Sequence, residues 1–190
     1  MAHPASKQPL ESDSLRLRTA VFLVGFMGAG KTSVGRALAR QLHWRFIDLD
    51  ERVEARERRT VAEIFRDRGE TAFRQAESAA LLELLDELRS GTRAVIALGG
   101  GAYVQPQNAD LIHASNSAVV FLDAPIEELR RRCTAKGDVR PLFQDEDQFR
   151  KLYEARRAHY LHADFLVSTM DKSVYDVARE IISLSGIENR

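Results

Sequence analysis

The chain has 190 residues, 44% of them apolar and 29% charged, with only 11 glycines and 5 prolines. That length and balance suit one soluble globular domain; they exclude collagen-like and low-complexity chains and a pair of ordinary domains. Acids and bases cancel at 28 each, which removes the simple electrostatic case for a nucleic-acid coat or an anionic-membrane binder, yet 23 of the bases are arginine.

Residues 1–18 hold no apolar run of the kind a secretory signal needs and read as a flexible polar tail ahead of a single domain, 19–190. Ala20–Val24 is a β-branched and aromatic run stopped by Gly25, the pattern of a strand buried on both faces. From Lys31 to Leu42 the apolar residues Val34, Leu38 and Leu42 recur at helical spacing. Phe46-Ile47 opens a second strand into Asp48-Leu49-Asp50. Thr60-Val-Ala-Glu63 has capping-box spacing and starts a helix through Phe65, and Gly69-Glu70 leads into a long helix to about Leu88. Arg93–Leu98 is a third strand, and Pro106 sits where a first helical turn accepts proline. Val119–Leu122 is a fourth strand, followed by a helix from Pro125. Leu152–Tyr160 reads as a helix, Phe165–Val167 as a last strand and Val174–Leu184 as the closing helix. This alternation implies a parallel sheet covered by helices, with ligands beyond the carboxyl ends of the strands. No apolar run approaches the ~18 residues of a membrane span. The one cysteine, Cys133, cannot form an internal disulfide, so a cytoplasmic location is expected.

Gly25-Phe-Met-Gly28-Ala29-Gly30-Lys31-Thr32 is a full G-x-x-x-x-G-K-[ST] loop between a predicted strand and a predicted helix. Glycines let backbone N–H groups curl around phosphate oxygens, and the helix N-terminus adds partial positive charge. Lys31 is expected on the β- and γ-phosphates and the Thr32 hydroxyl on Mg²⁺, so the chain reads as binding a nucleoside triphosphate. No N-K-x-D guanine motif is present, since the asparagines are Asn108, Asn116 and Asn189. Val119-Val-Phe-Leu-Asp123 matches the four-apolar-then-acid pattern of motor ATPases, but Pro125, Glu127 and Glu128 make Asp123 read as a carboxylate at the mouth of a helix.

Asp48 and Asp50 are expected at the end of the second strand, beside the phosphate loop, with both carboxylates on one side. One would hold the Mg²⁺ water shell and the other an acceptor hydroxyl; two such residues also read as caps. Glu70, Arg74 and Glu77 share one helical stripe, which alone is a solvated ion-pair ladder. Leu98-Gly99-Gly100-Gly101, after a buried strand, lets a ligand approach the backbone closely. Residues 134–147, with Arg140-Pro141-Leu142, follow Arg130-Arg131-Arg132 and read as a mobile lid. Arg156 and Arg157, ahead of Tyr160, read on their own as a basic helix face, and His159-x-x-His162 as structural.

In this order the motifs resemble the shikimate kinase family, from about Val21 to Leu184. Its marks are the P-loop, D-x-D, G-E-x-x-F-R-x-x-E, L-G-G-G, R-P-L and R-x-x-x-Y. Here they stand as Gly25–Thr32, Asp48–Asp50, Gly69–Glu77, Leu98–Gly101, Arg140–Leu142 and Arg156–Tyr160. The resemblance implies an α/β, three-layer P-loop kinase fold, with a five-stranded parallel sheet flanked by helices and a mobile lid. It implies transfer of the ATP γ-phosphate to the 3-hydroxyl of shikimate, on the route to chorismate and the aromatic amino acids. By similarity, Asp50, Arg74, Gly100, Gly101 and Arg156 would bind shikimate, the arginines pairing with its carboxylate. Gly28, Ala29, Gly30, Lys31, Thr32, Ser33, Arg132, Arg140 and Lys172 would bind the nucleotide, and Thr32 and Asp48 would serve Mg²⁺. Lys31, Asp50 and Arg140 would carry catalysis. Arg156 is preferred to Arg157 because its spacing to Tyr160 matches. Shikimate and ATP are the expected partners, with no nucleic acid and no membrane, and a monomer is the expected state. The alternatives are a gluconate-kinase-like enzyme of the same fold, or a nucleotide-binding homologue without turnover.

Overall fold

Five strands and seven helices are present in the computed structural model, which describes residues 18–135 and 146–187. The strands are β1 (Ala20–Val24), β2 (Arg45–Asp48), β3 (Ala94–Ala97), β4 (Ser117–Asp123) and β5 (Phe165–Ser168). They form one parallel sheet in the order β2-β3-β1-β4-β5. The helices are α1 (Lys31–Leu42), α2 (Leu49–Glu57), α3 (Val61–Arg89), α4 (Pro106–His113), α5 (Ile126–Ala135), α6 (Glu146–Tyr160) and α7 (Val174–Ser185). β1 is central and wholly buried, as its unbroken apolar run requires, and β3 is buried throughout as well. α1 and α7 pack on each other and reach β1, β2, β3 and β5, while α3 packs on α2 and α4. This is the expected parallel sheet flanked by helices. No helix among the described residues is long and apolar enough to cross a membrane.

Local signals account for most boundaries. Thr60 and Glu63 form the reciprocal capping box at the start of α3, and Pro106 occupies the first turn of α4. Three expectations need correction. The second strand stops at Asp48, because the Asp48 carboxylate accepts from the Asp50 N–H and caps α2. Asp50 therefore stands in a first helical turn and not on a strand, and strand alternation does not set its direction. The expected break between the helix from Thr60 and the helix after Gly69 is present within α3, where Gly69 takes the non-helical φ 79°, ψ 175°, and the Phe65 and Phe73 rings lie 4.6 Å apart. α6 starts at Glu146, six residues before the expected Leu152, so Thr134, Ala135, Glu146 and Asp147 of the expected lid are helical. Finally, Arg18 is no loose tail residue: its guanidinium lies 5.1 Å from the Phe165 ring centre, and Thr19 N–H donates to the Asn116 carbonyl at 3.1 Å. The lid segment 136–145, which includes Arg140, and tail residues 1–17 lie outside the described residues.

The turn out of β1 is constrained most tightly at Gly25. Its φ is +143°, and a Cβ there would stand 2.6 Å from the backbone oxygen of Leu122 on β4. Both the backbone angle and the contact reject a side chain. Gly25→Ala is expected to lower stability by about 2–3 kcal/mol, read as a reduced denaturant midpoint at unchanged slope.

Candidate active site

The loop 25–32 joins β1 to α1 at the carboxyl edge of the sheet. Gly28 and Gly30 take φ +80° and +92°, and Gly30 is the N-cap of α1 with no side chain capping the helix. The N-terminal amides of α1 thus face the loop, the arrangement that receives phosphate. A Cβ on Gly28 would meet the Leu129 carbonyl at 2.6 Å and Cys133 Sγ at 3.0 Å. Lys31 folds back over its own loop, with Nζ donating to the carbonyls of Gly25 at 2.8 Å and Phe26 at 3.1 Å. Burial pushes its pKa down to about 8, against the pull of Asp50 and Asp48.

Thr32 and Asp48 meet, the Thr32 hydroxyl donating to Asp48 Oδ2 at 3.1 Å. Both present hard oxygen ligands. Among the described residues no cluster of three or more His, Cys, Asp or Glu could hold a metal alone. A pair of oxygen donors beside a phosphate loop fits Mg²⁺, which keeps waters and takes substrate phosphates as ligands.

On one side of the loop lies a cavity of about 390 Å³ lined by Gly28, Ala29, Gly30, Ser33, Arg132, Thr169 and Lys172. Arg132 is held in place by Thr169, through Oγ1 and the carbonyl at 2.9 Å each, and by Glu128 at 2.7 Å. Arg131 and Arg132 hold the Glu128 carboxyl down to about 2. Lys172 pairs with Glu180 at 2.6 Å on the cavity wall.

On the other side a cavity of about 370 Å³ is lined by Asp50, Phe65, Glu70, Arg74, Glu77, Gly99, Gly100, Gly101 and Arg156. Each glycine of the turn clears charged side chains, Gly99 those of both Asp50 and Glu77. A Cβ would lie 2.5 Å from Asp50 Oδ1 at Gly99, 3.0 Å from Arg156 Nη1 at Gly100 and 2.5 Å from Arg74 Nη1 at Gly101. Arg74 donates to Glu70 at 3.0 Å and to Glu77 at 2.9 Å. The Tyr160 hydroxyl donates to the Gly100 carbonyl and pins the turn; burial pushes Tyr160 up to about 12. Arg156 is in no salt bridge with a described residue. Burial and the neighbouring Arg74 charge push it below the usual guanidinium range, with Tyr160, Glu70 and Glu77 opposing. A smaller cavity of about 180 Å³ lies between the P-loop and the glycine turn, lined by Lys31, Thr32, Asp48, Asp50, Gly99, Gly100 and Arg156. A larger one of about 550 Å³, between α5 and α6, contains none of the glycine turns or aspartates.

The fold thus gathers every expected site residue around the first three of these cavities except Arg140, which lies outside the described residues. Asp123 belongs elsewhere: its carboxylate accepts from Ala124 N–H at 3.0 Å and from Arg157 at 2.8 Å. That pair turns Arg157 away and leaves Arg156 to the cavity. Glu77 is the residue that helical spacing undervalued. It is wholly buried, and its pKa is raised by that burial against the pull of Arg74. Gln105 was not singled out at all, yet it donates to Glu77 at 3.0 Å.

Two spaces meeting at a P-loop, one of them walled by guanidinium groups, are the layout of a P-loop kinase with a small anionic acceptor. The chain belongs to the shikimate kinase family, whose model matches residues 27–185. It is 36% identical over 164 residues to the shikimate kinase of Persephonella marina, covering 85% of this chain and 96% of that one. It is 41% identical over 169 residues to that of Cupriavidus pinatubonensis, covering 87% and 85%. The solved shikimate kinase from Acinetobacter baumannii in complex with shikimate superposes with a TM-score of 0.77 at 35% identity, covering 88% of this chain and 92% of that one.

Proposed function

We propose that this chain transfers the γ-phosphate of ATP to the 3-hydroxyl of shikimate, giving shikimate 3-phosphate and ADP. The observation that carries the reading is Arg156, a half-buried cation without a salt bridge among the described residues, facing the same small cavity as Arg74. Two guanidinium forks over a glycine floor suit one carboxylate, with each charged hydrogen bond contributing ~1.5–3 kcal/mol.

Phosphoryl transfer depends on positioning and charge neutralisation more than on covalent chemistry. In our reading Lys31 leaves the loop carbonyls and takes the phosphate oxygens, an exchange that strengthens its charged form. Asp50, on the wall of the cavity that it shares with Lys31, accepts the acceptor hydroxyl's hydrogen bond and aims its oxygen at phosphorus. The Gly28–Ser33 backbone cradles phosphate, while Arg132 and Lys172 flank the rest of the nucleotide. Thr32 and Asp48 are the residues that would hold Mg²⁺, whose charge, when bound, neutralises phosphate oxygens. Arg140 is assigned to ATP by family resemblance alone.

The test is an ADP-release assay offering shikimate and gluconate in parallel. Release that depends on shikimate is expected. Folded protein that releases no ADP with shikimate refutes the proposal, and turnover with gluconate instead selects the alternative acceptor.

A further inference from the structure

We infer that Gln105 is a positioning residue of the acceptor site, holding Glu77 in place and through Glu77 setting the direction of the Arg74 fork. The consequence for shikimate rests on the function proposed above; the Gln105–Glu77 coupling does not. Gln105 is the N-cap of α4, yet its side chain makes no capping bond. Its amide is spent on Glu77 instead: Nε2 donates to Glu77 Oε2 at 3.0 Å, the oxygen that also accepts from Arg74 Nη1 at 2.9 Å. Only the amide nitrogen can face an ionised carboxylate, so the orientation of the amide is determined.

The carboxylate needs this second donor. Glu77 is wholly buried, and its other oxygen, Oε1, has no hydrogen-bond partner among the described residues. Burial favours its neutral form, and so does Asp50 on α2; Arg74 on its own helix and Arg156 on α6 favour the charged one. Gln105, from the start of α4, adds a neutral donor to the charged side of that balance. A protonated Glu77 would release its hold on Arg74 and leave it tied to the exposed Glu70 alone.

The backbone under Gln105 is rigid enough to act as an anchor. The N–H groups of Asn108 and Ala109 donate to its carbonyl at 3.0 and 3.1 Å, and Pro106 follows it directly. Asn108 Nδ2 in turn donates to the Ala102 carbonyl at 3.1 Å, tying α4 to the glycine turn. One short segment therefore positions both the glycine floor and the carboxylate behind Arg74.

The coupling is read in the full chain by carbon NMR titration of the Glu77 carboxyl, identified by its loss in Glu77→Gln. Gln105→Met keeps the side chain's length without the donor, and is expected to raise the Glu77 midpoint by about one pH unit. Gln105→Glu, which faces Glu77 with a second carboxylate, is expected to raise it further. An unmoved Glu77 midpoint in both variants overturns the inference. In kinetics, Gln105→Met is expected to raise the shikimate KM about tenfold, leave the ATP KM within about twofold, and move the acid limb of the shikimate kcat/KM profile upward. Equal KM increases for both substrates with an unmoved acid limb would indicate only a structural cap and also overturn it. A wild-type chain inactive on shikimate refutes the proposed function, and the titration still decides the coupling.

Discussion

Lys31→Met is expected to reduce kcat on the order of a thousandfold, the scale set by removing one preorganised donor from developing charge. Lys31 lines the space shared with Asp50 and Arg156. Methionine keeps the stem and loses only the charge and its donors. Because Lys31 Nζ bonds only loop carbonyls among the described residues, the variant should stay folded, which circular dichroism checks. A variant within about tenfold of wild-type kcat would remove Lys31 from the transferring phosphate. The same residue predicts a proton linkage. Burial lowers Lys31 to about 8, so above that pH the ligand-free chain holds a neutral amine. Anionic phosphate favours the charged form, and nucleotide binding at pH 8.5 should therefore take up protons. Calorimetry in buffers of different ionisation enthalpy reads that uptake. It should be present in the wild type and absent from Lys31→Met.

Arg74→Met is expected to have two separable effects. Loss of one charged fork should raise the shikimate KM on the order of 10- to 100-fold and leave the ATP KM nearly unchanged. It also strands Glu77, which is wholly buried, and breaking a buried pair costs about 3–5 kcal/mol. The stability loss should vary with pH in a set direction. The folded-state pKa of Glu77 is already raised above its unfolded value by burial, and losing Arg74 raises it further. The folded chain then holds the proton more tightly than the unfolded one, so the variant should be least stable at high pH and recover as pH falls. Arg74→Met with Glu77→Gln removes the stranded charge. The double variant is expected to regain most of the lost stability, seen in chemical denaturation, and none of the shikimate affinity. Recovery of both would mean that Arg74 only neutralises Glu77.

Both predictions concern groups whose neighbourhoods were legible to different degrees. The P-loop could be read directly because its demands are local: left-handed backbone at Gly28 and Gly30, a helix opening at Lys31, a buried strand before Gly25. The capping box at Thr60 and the proline opening α4 are legible for the same reason, since each acts within one turn. The Glu70–Arg74–Glu77 stripe was visible as a spacing, but spacing does not say which side of a helix is covered. Packing of α3 against the glycine turn and the start of α4 buries Glu77 and leaves Glu70 exposed. Asp50 was placed beside the loop for an incomplete reason, because the capping role of Asp48 ends the strand two residues earlier than strand alternation through Asp50 assumes.

The sequence by itself determined the parallel α/β sheet, the phosphate loop and the ordered set of motifs that marks the family, all features carried by residues close together in the chain. It also held the excess of arginine over lysine that pointed to small anions. Only the tertiary structure shows which arginines line one cavity. Arg156 and Arg157 are chemically identical neighbours; family spacing to Tyr160 preferred Arg156, and the physical separation is Asp123 at the end of β4, which takes Arg157 at 2.8 Å. Gln105 joins Glu77 across 28 residues, and local propensity carries no record of that contact. Burial and long-range pairing assign the charges because their energies depend on which groups lose water together, and that is known only once the elements have packed.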